Sequence, residues 1–145
     1  MGKVTTSIDI DAPPEDVWAA VTDLPRLGEW VTIHKEFPEP PPGVVSKGVT
    51  FEQTLELAGN SFDVEWTAKT VEENERLEWE GKGPAGTKAR TEYRLSEHDG
   101  GTRFDYENEF ELPGGALGRI AGGAVDSRSE TEAEKSLERL KKLVE

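Results

Sequence analysis

The run GALGRIAGGAVDSRSETEAEKSLERLKKLVE, Gly115 to Glu145, is the only long helical pattern in the chain and decides how the rest is read. Leu137, Leu140 and Val144 fall three and four apart, with Ala133 one turn earlier, so they share one helix face. Leu117, Ile120, Ala121, Ala124 and Val125 form a second apolar stripe, diluted by Gly118, Gly122 and Gly123. The polar run Asp126–Glu130 separates the two stripes. On a straight helix, Leu137 and Leu140 point nearly opposite to Ala124 and Arg128. The spacing therefore predicts a kink or break between the stripes, which Gly122 and Gly123 favour. The overall expectation is a curved sheet wrapped around this helix, with room for a ligand along its glycine-rich first half.

Upstream the pattern changes to a period of two. Val49, Phe51, Gln53, Leu55 and Leu57 alternate with Thr50, Glu52, Thr54 and Glu56. Phe62, Val64, Trp66 and Ala68 repeat the pattern, as do Leu77, Trp79 and Gly81. Ala89, Thr91, Tyr93 and Leu95 follow, then Phe104, Tyr106, Asn108 and Phe110. Turn signals at Gly59-Asn60, Glu73–Glu75, Gly83–Gly86 and His98–Gly101 divide these runs. Five strands joined by short turns predict an antiparallel meander with one apolar and one charged face.

Val4, Thr6, Ile8 and Ile10 alternate as well and add a sixth strand. Pro13-Pro14 opens a helix over about Glu15–Thr22, which carries Val17, Trp18 and Val21 on one face. Leu24, Leu27 and Trp30 suggest a second short helical turn. Phe37–Gly43, with four prolines, is a stiff loop. The fold class is α+β in one domain over residues 1–145: a curved antiparallel sheet, two short helices after the first strand, and a long C-terminal helix.

Composition narrows the function. The formal net charge of −13 disfavours nucleic acid and anionic membranes as partners, because both need a concentrated basic surface. No cysteine is present, which excludes thiolate metal sites, disulfides and a cysteine nucleophile. No apolar run approaches the roughly 20 residues of a membrane span. Lys3–Ser7 is mostly polar and lacks an apolar signal core. The expectation is a cytoplasmic protein.

The segment Ile8–Trp18, IDIDAPPEDVW, followed by Val21-Thr22-Asp23-Leu24 and Leu27-Gly28-Glu29-Trp30, resembles the START-like (SRPBCC) superfamily. Within it the chain is similar to the polyketide cyclase/dehydratase and lipid-transport group. The resemblance covers essentially the whole chain. It implies a helix-grip fold of about seven strands around an internal cavity, so one strand is missing from the count above. Val44-Val45 is the candidate for it. Glu29–Lys35, EWVTIHK, is similar to a segment of an actinobacterial subgroup named as toxins of toxin–antitoxin pairs.

If the apolar strand phase points inward, the polar or amphipathic groups in the cavity are Gln53, Trp66, Trp79, Thr91, Tyr93, Tyr106 and Asn108. Trp30, Phe51, Ala121 and Arg128 complete the candidate ligand site. Such a mix, mostly apolar with a few polar groups, suits a small hydrophobic or amphipathic ligand. Arg128 and Thr131 count onto the cavity-facing stripe, where a buried arginine would want a carboxylate. His34 is the candidate general acid/base at the cavity mouth. The alternatives to ligand binding are a polyketide cyclase or dehydratase, with His34, Tyr93 or Tyr106 moving protons, and a toxin-like or regulatory protein acting on a protein partner. Two separated histidines and outward-phased carboxylates argue against a metal site, and no cofactor is expected.

Overall fold

The computed structural model describes the backbone of residues 2–43, 45–57, 60–83, 86–111 and 116–145. The side chains of residues 2, 57, 60, 110, 111 and 116–129 lie outside the described residues. The strands are β1 (Gly2–Ile10), β2 (His34–Glu36), β3 (Thr50–Leu57), β4 (Asn60–Glu72), β5 (Arg76–Lys82), β6 (Lys88–His98) and β7 (Gly101–Glu111). The helices are α1 (Pro14–Val21), a 3₁₀ segment (Leu24–Glu29) and α2 (Ala116–Val144).

All seven strands form one antiparallel sheet in the order β1-β7-β6-β5-β4-β3-β2. The meander β3 to β7 is as the alternation predicts. The β6–β7 turn is set by Asp99 and Gly100, at φ 48° and 80°, the paired left-handed conformation of a tight hairpin. A register shift between Ala68 and Thr70 breaks the long β4 ladder, and such bulges bend and twist a sheet. The seventh strand is His34–Glu36, not the Val44-Val45 segment: Val45 is not in a strand, and Val44 lies outside the described residues. Three residues are too few to show a period, which is why the sequence pattern misses them.

The concave face carries the core. Val64, Ala68, Leu77, Leu95 and Phe104 are buried from the sheet, and Val17, Trp18 and Val21 from α1, as their spacing predicts. α2 packs chiefly along β1 and closes this face with Ala133, Leu137 and Leu140. Burying each of those leucines contributes about 1.5–3 kcal/mol. Polar ties fix the helix at two levels. Thr32 donates its N–H to Ser136 Oγ (3.0 Å) and its hydroxyl to the Glu132 carbonyl (3.1 Å). Near the end, Lys141 Nζ donates to the Asp9 carbonyl (3.1 Å) and the Asp11 N–H to Glu145 (2.9 Å). Of the kink or break expected in α2, a break does not occur: the helix is continuous through Asp126–Glu130. Thr131 is exposed rather than cavity-facing, because the buried stripe runs through Ala133, Ser136 and Leu137 instead.

The convex face is not simply solvated. Glu92, in the charged phase of β6, is 2% exposed. Arg76, Arg90 and Arg94 converge on it, with Arg94 Nε at 3.0 Å from Oε1. Arg90 also bonds Glu78. Burial raises the Glu78 carboxyl, but the bonds from Arg90 and Thr70 outweigh it and hold it below the usual carboxylate range. A buried carboxylate among guanidinium groups is costly to leave half-paired. Glu92→Gln is therefore expected to cost about 2 kcal/mol, the scale of a charged hydrogen bond, in urea unfolding. An unchanged midpoint would mean that the cluster contributes nothing.

Candidate functional site

Between the concave sheet and the helices lies a cavity of about 280 Å³. Its floor comes from the inward phase of the strands: Phe51, Gln53 and Leu55 from β3, Phe62, Val64 and Trp66 from β4, Trp79 from β5. β6 and β7 add Ala89, Thr91, Tyr93, Tyr106 and Asn108. The period of two puts all of these on the inward face, and also Leu77 and Phe104, which are buried in the core but do not line the cavity. Trp30, also expected, lines the cavity from the end of the 3₁₀ segment. Ala121 and Arg128 fall among side chains outside the described residues.

The remaining walls come from outside the meander strands. Val21, Leu24, Leu27, Val31 and Ile33 line the cavity because the chain crosses the open face between β1 and β2. Gly83 and Thr87 enter from the β5–β6 turn, and Glu132, Ala133 and Ser136 from α2. Their apolar content was visible in the sequence, but their meeting point depends on strand order.

Four of the polar groups lie together on β6 and β7. Thr91 pairs with Asn108, and Tyr93 with Tyr106, in adjacent register positions of β6 and β7. The two tyrosine rings stack at 5.9 Å, and Tyr93 meets Trp30 edge-on at 5.8 Å. Burial pushes the Tyr106 phenol up to about 12, opposed by its bond to Asn108, and burial pushes Tyr93 up as well. Both hydroxyls therefore stay protonated at neutral pH and serve as hydrogen-bonding groups rather than bases. Trp30 is 1% exposed, and its indole nitrogen has no hydrogen-bond partner among the described residues.

His34 does not stand at the cavity mouth as expected. It is absent from the cavity wall and holds that wall from behind. Its Nδ1 lies 2.9 Å from Gln53 Nε2, and Trp66 Nε1 donates to Gln53 Oε1 at 3.0 Å. An indole N–H can only donate, so the Gln53 oxygen must face Trp66 and its amide N–H must face His34. Nδ1 is then the acceptor, and the neutral ring carries its proton on Nε2. The other edge of the ring packs against Gly28, where an added Cβ would sit 3.0 Å from His34 Cδ2. Phe37 covers it at 4.5 Å. The bond that Gln53 needed is thus supplied by protein. Its partners are Trp66 and His34.

Two consequences are measurable. Burial lowers the His34 pKa below its ordinary value of 6.5. Below pH ~6.5 the unfolded chain takes up a proton that the folded chain refuses, so stability falls as pH falls, by at most about 1.4 kcal/mol per pH unit. It is fully present above that pH. His34→Asn, which can keep an acceptor toward Gln53 but does not titrate, is expected to flatten this slope below pH 6.5 relative to wild type. Gly81 faces Trp66 across β4 and β5, and a Cβ there would lie 2.8 Å from two ring carbons of Trp66. Gly81→Ala is expected to destabilise by about 1–3 kcal/mol, the cost of overpacking, and to shift tryptophan emission.

Comparison with known proteins agrees with this architecture. The family described as polyketide cyclase/dehydrase and lipid transport matches residues 1–145. A Mycobacterium tuberculosis protein named a toxin is 30% identical over 127 residues, covering 86% of this chain and 88% of that protein. A crystal structure of a Thermus thermophilus protein superposes with a TM-score of 0.80 at 19% identity, over 98% of this chain and 96% of that one. A Chromobacterium violaceum protein gives 0.76 at 16% identity, over 99% and 98%. The two superpositions show a shared fold, and the full-length family match shows kinship: the chain belongs to the polyketide cyclase/dehydrase and lipid-transport family.

Proposed function

We propose that this protein binds a small hydrophobic or amphipathic molecule in the cavity between sheet and helices. The observation that carries this reading is the composition of the wall: mostly aromatic and aliphatic, with a polar patch of Thr91, Tyr93, Tyr106 and Asn108 on β6 and β7 and a few polar groups elsewhere, Gln53, Thr87, Glu132 and Ser136. Such a pocket buries an apolar body and orients it by one polar end. At about 280 Å³ it lies just below the roughly 300–1,000 Å³ range of pockets for drug-sized ligands. A compact ring system or short chain suits it better than a whole phospholipid. Family membership supports a lipid-like or polyketide-like ligand.

Binding is favoured over proton-transfer chemistry. The tyrosines are held protonated, and His34 is engaged with Gln53 outside the wall. A second reading, action through a protein partner, is supported by the toxin-named relative. Growth arrest on expression without any dependence on the cavity would select it.

Titration with small flavonoids and medium-chain fatty acids is expected to quench tryptophan emission saturably, since Trp30, Trp66 and Trp79 line the cavity. Ala89→Phe, which fills the cavity from β6, is expected to weaken binding by at least about tenfold with an unchanged far-ultraviolet circular dichroism spectrum. Absence of saturable binding by any of these compounds would sink the proposal.

A further inference from the structure

Trp66, Gln53 and His34 form a hydrogen-bonded chain that runs from the cavity wall to the ring behind it. Trp66 and Gln53 line the cavity, and His34 does not. The chain has one satisfied arrangement. Trp66 Nε1 only donates, the Gln53 amide carries one acceptor and one donor end, and His34 Nδ1 must therefore accept. A protonated imidazole has a hydrogen on both nitrogens. Its Nδ1–H then meets the Gln53 N–H across the 2.9 Å that now holds a bond. Turning the amide over gives His34 an acceptor, but sets the Gln53 N–H against the Trp66 N–H, 3.0 Å from the amide in the present arrangement. Either way two donors face each other between buried side chains, where an unmade bond is costly.

The ends of the chain have little room to part. The His34 ring packs on Gly28, where an added Cβ would sit 3.0 Å from Cδ2, and Phe37 lies over it at 4.5 Å. The Trp66 ring rests on Gly81, where a Cβ would sit 2.8 Å from two of its carbons. The open side of Trp66 and Gln53 is the cavity. Among the described residues, no carboxylate offsets a charge on His34. On the 3₁₀ segment, Arg26 and Glu29 are exposed and pair with each other. On β2, Lys35 and Glu36 are exposed, and Lys35 pairs with Glu56 of β3 at 3.8 Å. Glu52 of β3, and Asp63 and Glu65 of β4, are exposed in the opposite phase to Gln53 and Trp66. Burial alone shifts the His34 pKa, and shifts it downward.

We infer that His34 is a proton-sensitive positioning residue of the cavity: its protonation drives Gln53 and Trp66 toward the cavity, so that the pocket holds its ligand at neutral pH and releases it in acid. The release rests on the cavity reading, and the movement of the wall does not. By linkage, a ligand that needs the neutral ring also keeps His34 neutral to lower pH.

Nuclear magnetic resonance of the full chain, from neutral pH down to the onset of acid unfolding, tests the wall. The Trp66 indole N–H resonance, assigned by its loss in Trp66→Phe, is expected to shift with the same midpoint as the His34 ring protons. In Trp66→Phe the amide is free to turn its oxygen to the ring, and the His34 midpoint is expected to rise by about half a pH unit or more. Flavone, which does not titrate in this range, probes the release by equilibrium dialysis. Its affinity is expected to fall about tenfold at one pH unit below the His34 midpoint, and to change by less than about twofold in His34→Asn over the same range. An indole resonance that ignores the His34 titration, a midpoint that does not rise in Trp66→Phe, or a His34 still neutral when the chain unfolds overturns the inference. Flavone held equally well on both sides of the midpoint overturns it too, and leaves the cavity reading standing. Flavone bound on neither side overturns the cavity reading and the release with it, while the indole resonance still decides the movement of the wall.

Discussion

The structure depends on one topological constraint. β1 and β2 are consecutive in the chain but lie at opposite edges of the sheet. β1 is held at its edge by continuous pairing with β7, from Gly2 opposite Phe110 to Ile10 opposite Thr102. The residues between β1 and β2 must therefore cross the open face of a curved sheet. Leu24, Leu27 and Trp30 are buried because that crossing presses them onto the concave side. α2 covers the same face from the direction of β1. Two covers lie over one bent sheet and meet at Thr32, Glu132 and Ser136. The space left between them is the cavity.

This explains why some of the molecule was legible in the sequence and some was not. A strand places side chains by a period of two regardless of what lies above it. Phe51, Gln53, Trp66, Trp79, Tyr93, Tyr106 and Asn108 could therefore all be assigned to the cavity side, and all line it. Val31, Ile33 and Thr87 line the same space, but their place follows from strand order, which no local pattern carries. Glu92 was hidden for a related reason. Its phase matches that of the solvated glutamates around it, and its pairing with Arg76 of β5 and with Arg90 and Arg94 of its own strand is carried by no apolar pattern. His34 had the right neighbourhood and the wrong role. A titratable ring near a pocket suggests chemistry, yet one edge of this ring is taken up by an amide and the other by the space over Gly28.

The Trp66–Gln53–His34 chain shows how one donor-only group can set the state of another side chain. Trp66 fixes the amide orientation of Gln53, which fixes the tautomer of His34. Each member is held by the next, so the wall built from β3 and β4 is rigid at its polar points. On β6 and β7 the arrangement differs. Thr91, Tyr106 and Asn108 are linked to one another, whereas the nearby Trp30 indole remains unsatisfied within the described residues.

The shortness of β2 bears on how copies of the chain behave toward one another. An open sheet has two edges, and an exposed edge is a template for another chain's backbone. β2 offers three residues with an irregular register, two of them the charged Lys35 and Glu36, and is soon followed by Pro38 and the run Pro40–Pro42. A proline has no N–H to lend to a ladder, and a broken register gives an incoming strand nothing to match. The edge beside the cavity is thereby blunted against sheet-to-sheet polymerisation.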